Sequence, residues 1–375
     1  MKKYLSVFPT WLLLTITFII IVLTLLLFFI YDYNTIKTAK GFEDEIFVLA
    51  DSLEYEELQE SLQATFEKEI YTPQPENIFT LIRVDSNDIE KFKQSKNIVI
   101  AAPLNSGSAA SNFLSSIIDT STRRNLNSKP DSIIYETDLW AKGQLVTILA
   151  APSVQELESK ILKNSDNLLM AYQRQSDERL YSNLYNPRNE QLDVEGSFLK
   201  DYGWVIYVEA EFKVAVNNPE DKFVWLQRSS GGDMERWIFI HWIDNATPDY
   251  LNADSIKAIR DRVTKIYYKI SDDTSYVIVA ANNFTTNEIN FNGKYAIFTQ
   301  GLWELNVKEM GGPFVNYVFF DEAKQRFYML DGSVYAPKHY KRNLIQQMDV
   351  TLQSFRTADE LPSDRNAELL DAVED

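Results

Sequence analysis

Two histidines, His241 and His339, are the chain's whole supply of imidazole, and cysteine is absent. The absence of thiols removes disulfides, thiol nucleophiles, iron–sulfur clusters and Cys-ligated zinc, and no cofactor is expected. His241 lies in WIFIHWI between Ile240 and Trp242. It is a general base if it faces an apolar cleft, and a hydrogen-bonded strand residue otherwise, which is the plainer reading. His339 stands in PKHYKR with Lys338, Lys341 and Arg342. That basic cluster either holds an anion at a helix start or is a solvated helix end, and the solvated end is favoured. Glu209 and Glu211 are two residues apart, so on a strand they share a face, beside Trp204 and Tyr207. Paired carboxylates among aromatic rings are what a glycoside hydrolase uses, although charges also guard edge strands. Glu209, Glu211 and His241 are therefore the candidate catalytic residues.

Other motifs are incomplete. Ser197–Lys200 matches S-x-x-K and Ser165–Asn167 matches S-D-N, but in the wrong order for a Ser/Lys hydrolase and without K-T-G. Asn105-Ser-Gly-Ser108 lacks the second glycine and the lysine of a phosphate loop, so a helix cap explains it better. The stretch from Asp85 resembles a calcium loop, yet Glu90 stands where glycine is needed and Lys96 where a bidentate acid is needed.

The elements around these residues divide the chain. From Glu45 to Leu184, strand signals (45–51, 78–84, 97–104, and a pair around Lys142-Gly143) alternate with helix signals (55–70, 110–118, and one long helix from Ser153). NIVIAAPL is nearly all apolar, as expected of a strand covered on both faces. A soft boundary falls near 185–203. Strand runs then follow at 204–209, 223–227, 237–243, 276–280, 288–291, 294–304, 314–320 and 326–336. A helix at 254–270 and another at 342–356 interrupt them. Asn292-Gly293 marks a two-residue hairpin. After Thr357 the chain has seven acids and one arginine, which reads as a loose tail.

Trp11–Ile30, WLLLTITFIIIVLTLLLFFI, has 20 residues and no charge. At about 1.5 Å per residue it spans roughly 30 Å, the hydrocarbon thickness of a bilayer. It is too long for a cleaved signal and lacks a small-residue cleavage site after it. Lys2 and Lys3 favour a cytoplasmic amino end, placing the chain from about residue 34 outside the cytoplasm. Net charge is −17 over 375 residues; the two leader lysines carry +2, leaving −19 on the rest. Such acidity, with pI near 4.7, argues against nucleic acid as a partner.

The segments NIVIAAPL, DLWAKGQLVTILAAP, KFVWLQRSS, GLWEL, EMGGPFVNYVFFDE and GSVYAPKHYKRNLIQQ resemble domain-of-unknown-function family 4837, a group of Bacteroidota envelope lipoproteins. The likeness is densest from Gly293 to Phe355. It implies an envelope location and carries over no catalytic residue, since the family has none established. Members begin with a lipidated cysteine. This chain has none, so a transmembrane helix takes the lipid's place. The second half also resembles, in layout alone, the α/β/α sandwiches of photosystem extrinsic subunits.

The chain reads as α+β: a membrane anchor (1–33, crossing between Trp11 and Ile30), a mixed α/β domain (34–185), an antiparallel-sheet sandwich (186–357) and an acidic flexible tail (358–375). The expectation is a single-pass protein of a bacterial inner membrane facing the periplasm. It contacts lipid through residues 11–30 and binds an unidentified envelope protein partner, as a scaffold rather than an enzyme. Glycan hydrolysis and ligand reception are the alternatives. Trp140, Trp303, Gly311, Gly312, Phe314 and Tyr335 are the candidate binding residues, because aromatic rings and glycine-shaped loops build ligand platforms.

Overall fold

The structure is a computed structural model that describes residues 36–128, 132–229, 234–269, 274–307 and 310–374. The anchor segment lies outside the described residues. Among those described, no helix is long and apolar enough to cross a membrane.

The first half contains β1 (Glu45–Leu49), α1 (Ser52–Phe66), β2 (Thr80–Val84), β3 (Asn97–Pro103), α2 (Ala109–Ile117), β4 (Ile134–Thr137), β5 (Leu145–Ala151), α3 (Val154–Lys163) and α4 (Ser165–Leu184). Its five strands lie in the order β2-β1-β3-β5-β4, all parallel except β4 against β5. Strand alternation sends Val99 and Ala101 to one face, with Leu58, Leu62, Phe66, Leu157 and Tyr172 of the helices. Ile98, Ile100 and Ala102 go to the other, with Ala110 and Leu114. Every residue of β3 and β5 is buried, which is why both strands read as continuous apolar runs. The single helix expected from Ser153 is two helices. They join at Asn164, whose φ of −108° and ψ of 15° leave the helical region.

The second half contains α5 (Leu192–Tyr202), β6 (Lys213–Asn218), β7 (Phe223–Ser229), β8 (Glu235–Asp244), α6 (Ala253–Tyr267), β9 (Val277–Phe291), β10 (Lys294–Leu305), β11 (Gly311–Asp321), β12 (Arg326–Tyr335), α7 (Arg342–Leu352) and α8 (Ser363–Asp371). Seven antiparallel strands run in the order β9-β10-β11-β12-β8-β7-β6. The whole is α+β. α6 covers one face of this sheet with Ile256, Ile259 and Val263, while Ile266, one turn on from Val263, is 52% exposed. α7 covers the other face with Met348 and Leu352, beside Trp204, Trp242 and Phe355. Asn292 (φ 52°) and Gly293 (φ 86°) close the β9–β10 hairpin, as the Asn-Gly pair requires.

Two expectations change. The 204–209 run is buried, but only Trp204 and Val205 pair in a ladder, with Thr357 and Arg356. Beyond them side chains supply the bonds: Val208 N donates to Glu195 Oε1 at 2.7 Å and Tyr207 N to Ser354 Oγ at 2.9 Å. The acidic tail is not loose either. α8 seats Leu369 in a small core with Leu199 and Val205, and Arg365 bonds Glu190 and Glu195. Its acids face water while one apolar side docks, so net charge alone misreads it.

Gly332 of β12 lies beneath α7, where a Cβ would sit 2.8 Å from Met348 Cβ. Gly332→Ala is expected to lift α7 from the sheet and lower unfolding free energy by roughly 1–3 kcal/mol, read as a lower urea midpoint at unchanged slope.

Candidate functional site

α7 is where the two halves meet. Its first backbone N–H groups, which have no partner within the helix, face Glu76 (8% exposed), from a short hairpin strand of the first half. Lys341 N (2.7 Å) and Arg342 N (2.8 Å) both donate to the Glu76 carboxylate. A carboxylate at a helix N-terminus meets free donors and the positive end of the dipole. Arg342 Nε adds a bond to Ile78 O at 2.9 Å, and its guanidinium lies 5.2 Å over Phe79. One turn on, Gln346 Nε2 reaches Ser176 Oγ (3.0 Å) and Asp177 Oδ1 (2.6 Å) of α4. The basic cluster around His339 thus does hold an anion, but one from this same chain. Lys341 and Arg342 are buried there, not solvated.

Behind α4 lies a polar hub. Burial works against the charge of Glu43, yet Arg179 and Lys96 hold its carboxyl below the usual carboxylate range. Arg179 donates to Glu43 Oε2 (2.9 Å), Asn97 Oδ1 (2.9 Å) and Gly143 O (2.9 Å), and Ser176 Oγ also bonds Glu43 (3.0 Å). This hub fixes α4 on the first sheet, with Ser176 linking it to α7.

Between α4, α7 and the sheet runs a groove of about 870 Å³, continuous with a recess of about 280 Å³. Its floor is Ile289, Phe298, Val315 and Tyr317, which sit on one face of β9, β10 and β11. Met170, Gln173, Asp177 and Tyr181 form one wall; Ile345, Asp349 and Gln353 form the other. Asp349 accepts the Tyr317 hydroxyl. Burial, reinforced by the charge of Asp177, pushes the Asp349 carboxyl up to about 7. Burial also raises Asp177, against the pull of the Gln346 bond and Arg342. Tyr317 is pushed far above its ordinary range by burial and by Asp349. Two acids therefore share a groove, each with neutral donors and, among the described residues, no ion pair. Each acid raises the proton affinity of its surroundings, and the pair favours an added proton or cation. A smaller cavity of about 260 Å³ lies beyond Tyr181. There burial pushes Glu195 up to about 8, opposed by the Val208 N–H and supported by the charge of Glu190. Tyr181 and Tyr185 stack at 3.9 Å between the two spaces. Among the described residues no group of acids and histidines is placed to hold a metal ion.

The residues expected to form the site do not come together there. Glu209 and Glu211 flank one guanidinium: Arg228 Nη1 lies 2.7 Å from Glu209, and Nη2 pairs with Glu211, which is 61% exposed. Neither lines the groove. His241 is a buried strand residue with Nδ1 2.9 Å from Lys222 O, and burial lowers its pKa to about 4. Trp303 is core and donates to Val334 O at 3.2 Å. The glycine pair beside it is steric: a Cβ on Gly312 would lie 2.0 Å from Val334 O, and one on Gly311 2.8 Å from Trp303 O. Phe314 is buried under the Arg260 guanidinium, and Tyr335 packs on Trp303 at 6.1 Å. Trp140 stands apart in the first half, near Phe113 and Lys93. Sequence reasoning missed Asp177, Asp349 and Tyr317. The available signal was Asp349 lying between two residues of α7's buried stripe, Met348 and Val350; nothing local ties it to Asp177.

Because the folded state favours protonated Asp349, the stability it contributes is full below about pH 4 and is lost as pH rises through about 7. Asp349→Asn keeps the shape without the charge. Urea unfolding of the full chain in detergent is expected to show little change at pH 4.5 and a gain on the order of 2 kcal/mol at pH 8. Glu76→Gln should lower stability by roughly 1–2 kcal/mol and speed amide exchange in the first turn of α7.

Among curated proteins none matches this chain. Solved structures show remote likeness. The Ran-binding protein Mog1p of Saccharomyces cerevisiae is 8% identical over 42% of this chain and 90% of its own, with a TM-score of 0.29. The lipid transfer and protein localization domain of human StarD13 is 9% identical over 43% of this chain and 88% of its own, with a TM-score of 0.20. Similarity at that level carries no weight for fold or function. Family comparison is informative: residues 39–185, the parallel-sheet half, match a domain of unknown function, DUF8532. Residues 189–354, from just before α5 through α7, match the model of a second domain of unknown function, DUF4837.

Proposed function

We propose that this protein is a membrane-tethered binding component of the bacterial cell envelope, and that it works by seating a ligand in the groove between its two halves. The groove carries this reading. It is concave, of about 870 Å³, with an apolar floor, an exposed aromatic at Tyr181 and a few converging polar groups, which is how ligand sites are built. Met170 (64% exposed) and Tyr181 (50% exposed) present large apolar surface at its rim, more than a solvated helix needs. The tether is the uncharged 20-residue run Trp11–Ile30. Its basic leader favours a periplasm-facing domain anchored in the inner membrane. Tethering confines the groove to the membrane surface and raises its effective concentration towards envelope partners. The hydrolase reading loses its motivation, since Glu209 and Glu211 are committed to Arg228.

A photocrosslinking residue placed at Met170 or Ile289 in the intact membrane form should give a discrete adduct, and one at Leu53, exposed on α1, should give none. Ile289→Arg, which fills the floor, should abolish the Met170 adduct. Equal adducts from all three positions, or none from the groove, would falsify groove binding. Carbonate at pH 11 should leave the protein in vesicles; its release would remove the anchor.

A further inference from the structure

β9 is an edge of the seven-stranded sheet. It pairs with β10, and among the described residues no strand pairs with its outer side. From Phe284 to Phe291 it stays in unbroken register with β10, and positions 284–290 are half-buried or exposed. An edge of this kind offers a row of free N–H and C=O groups to another strand. Natural sheets guard such edges with shortness, lysine, proline or bulges. The opposite edge, β6, is guarded: it has six residues, begins with Lys213 and has a break in register against β7. The outer half of β9, FTTNEINF, has no lysine, proline or register break, and its one charge is Glu288.

The unguarded edge runs along the groove. Ile289 of β9 lines both the groove and its recess, opposite Asp177 of α4. A strand added beside β9 would alternate its side chains, every second one facing the groove. There it meets an apolar floor and Asp177, which has no ion pair among the described residues although Arg342 and Arg179 act on it from a distance. Arg174, which also lines the groove, is already paired with Glu178 at 3.2 Å. We propose that β9 and the groove bind an extended peptide, which joins the sheet as an eighth strand and presents a lysine or arginine to Asp177. This rests on the groove reading and gives the ligand its chemistry. Main-chain bonds to β9 supply affinity independent of sequence, and Asp177 and the apolar floor select a basic side chain flanked by apolar ones.

The test uses the full chain in nanodiscs of zwitterionic lipid. The probes are fluorescein-labelled Val-Thr-Val-Lys-Val-Thr-Val and the same peptide with glutamate at the centre. The lysine peptide should bind roughly tenfold tighter or better and slow amide exchange in residues 284–291. Asp177→Asn should erase most of that preference. Asn287→Lys puts a guard charge on an exposed position of the edge and should abolish binding without changing the melting temperature. Equal affinity for both peptides, or no binding, overturns the proposal, as does binding without protection of 284–291. So does peptide displacement by spermidine with no exchange effect of its own loss on β9, since the site would then read only a cation. Concentration-dependent dimers that protect β9 without peptide would assign the edge to a second copy and equally overturn it. If these fail while the Met170 crosslink persists, groove binding stands and only the peptide inference falls; if the crosslink is absent too, both fall.

Discussion

The attachment of α7 governs the architecture. This helix closes the core of the antiparallel sheet with Met348 and Leu352, while its amino end is capped by Glu76 of the other half. A helix end with unpaired N–H groups cannot be buried without an acceptor. The hairpin carrying Glu76 must therefore stay where it is, and the parallel-sheet half is held with it. Gly332 allows the close approach that makes this possible. The groove lies beside two ties between α7 and α4: Gln346 to Ser176 and Asp177, and the Tyr185 hydroxyl, just past α4, to Val350 O at 3.0 Å.

Buried charge supports the same arrangement from both sides. In the first half, Glu43, Arg179, Asn97 and Lys96 satisfy one another beneath α4. In the second, Arg260 of α6 is fully buried and bonds Asp331 (2.7 Å) and Ser333 (3.0 Å), with its plane against Phe314. Such pairs add little net stability compared with apolar residues of equal size, but removing one partner strands a charge. They fix register and orientation. Asp177 and Asp349 differ: neither makes an ion pair among the described residues, and only Arg342 and Arg179 act on Asp177 from a distance, so part of the cost of their proximity is left in a concave site.

The aromatic wealth of the second half belongs to the interior. Trp204, Trp242 and Phe355 pack on the α7 face, and Trp237, Trp303 and Tyr268 on the α6 face. Rings bring large buried area per residue and suit pleated surfaces. Function falls instead to modest residues on helix flanks and one sheet edge, supported by this rigid core.

Local pattern alone determined a good deal. The apolar run at 11–30, the continuous β3 and β5, the Asn-Gly hairpin and the stripes of α1 and α7 follow from periodicity and turn chemistry, which act over a few residues. So did the resemblance to the family that residues 189–354 match. Tertiary structure decided the rest. Glu209 and Glu211, which lie in a turn before β6 rather than on a strand, look like a catalytic pair until Arg228 of β7 claims both. Gly311-Gly312 look like a loop until Val334 and Trp303 lie against them. Asp349 meets Asp177 across 172 positions of chain, and Glu76 meets Arg342 across 266. Contacts of that range leave no periodic trace, because each partner need only satisfy its own helix or hairpin locally; their meeting is fixed by how two sheets and their helices stack.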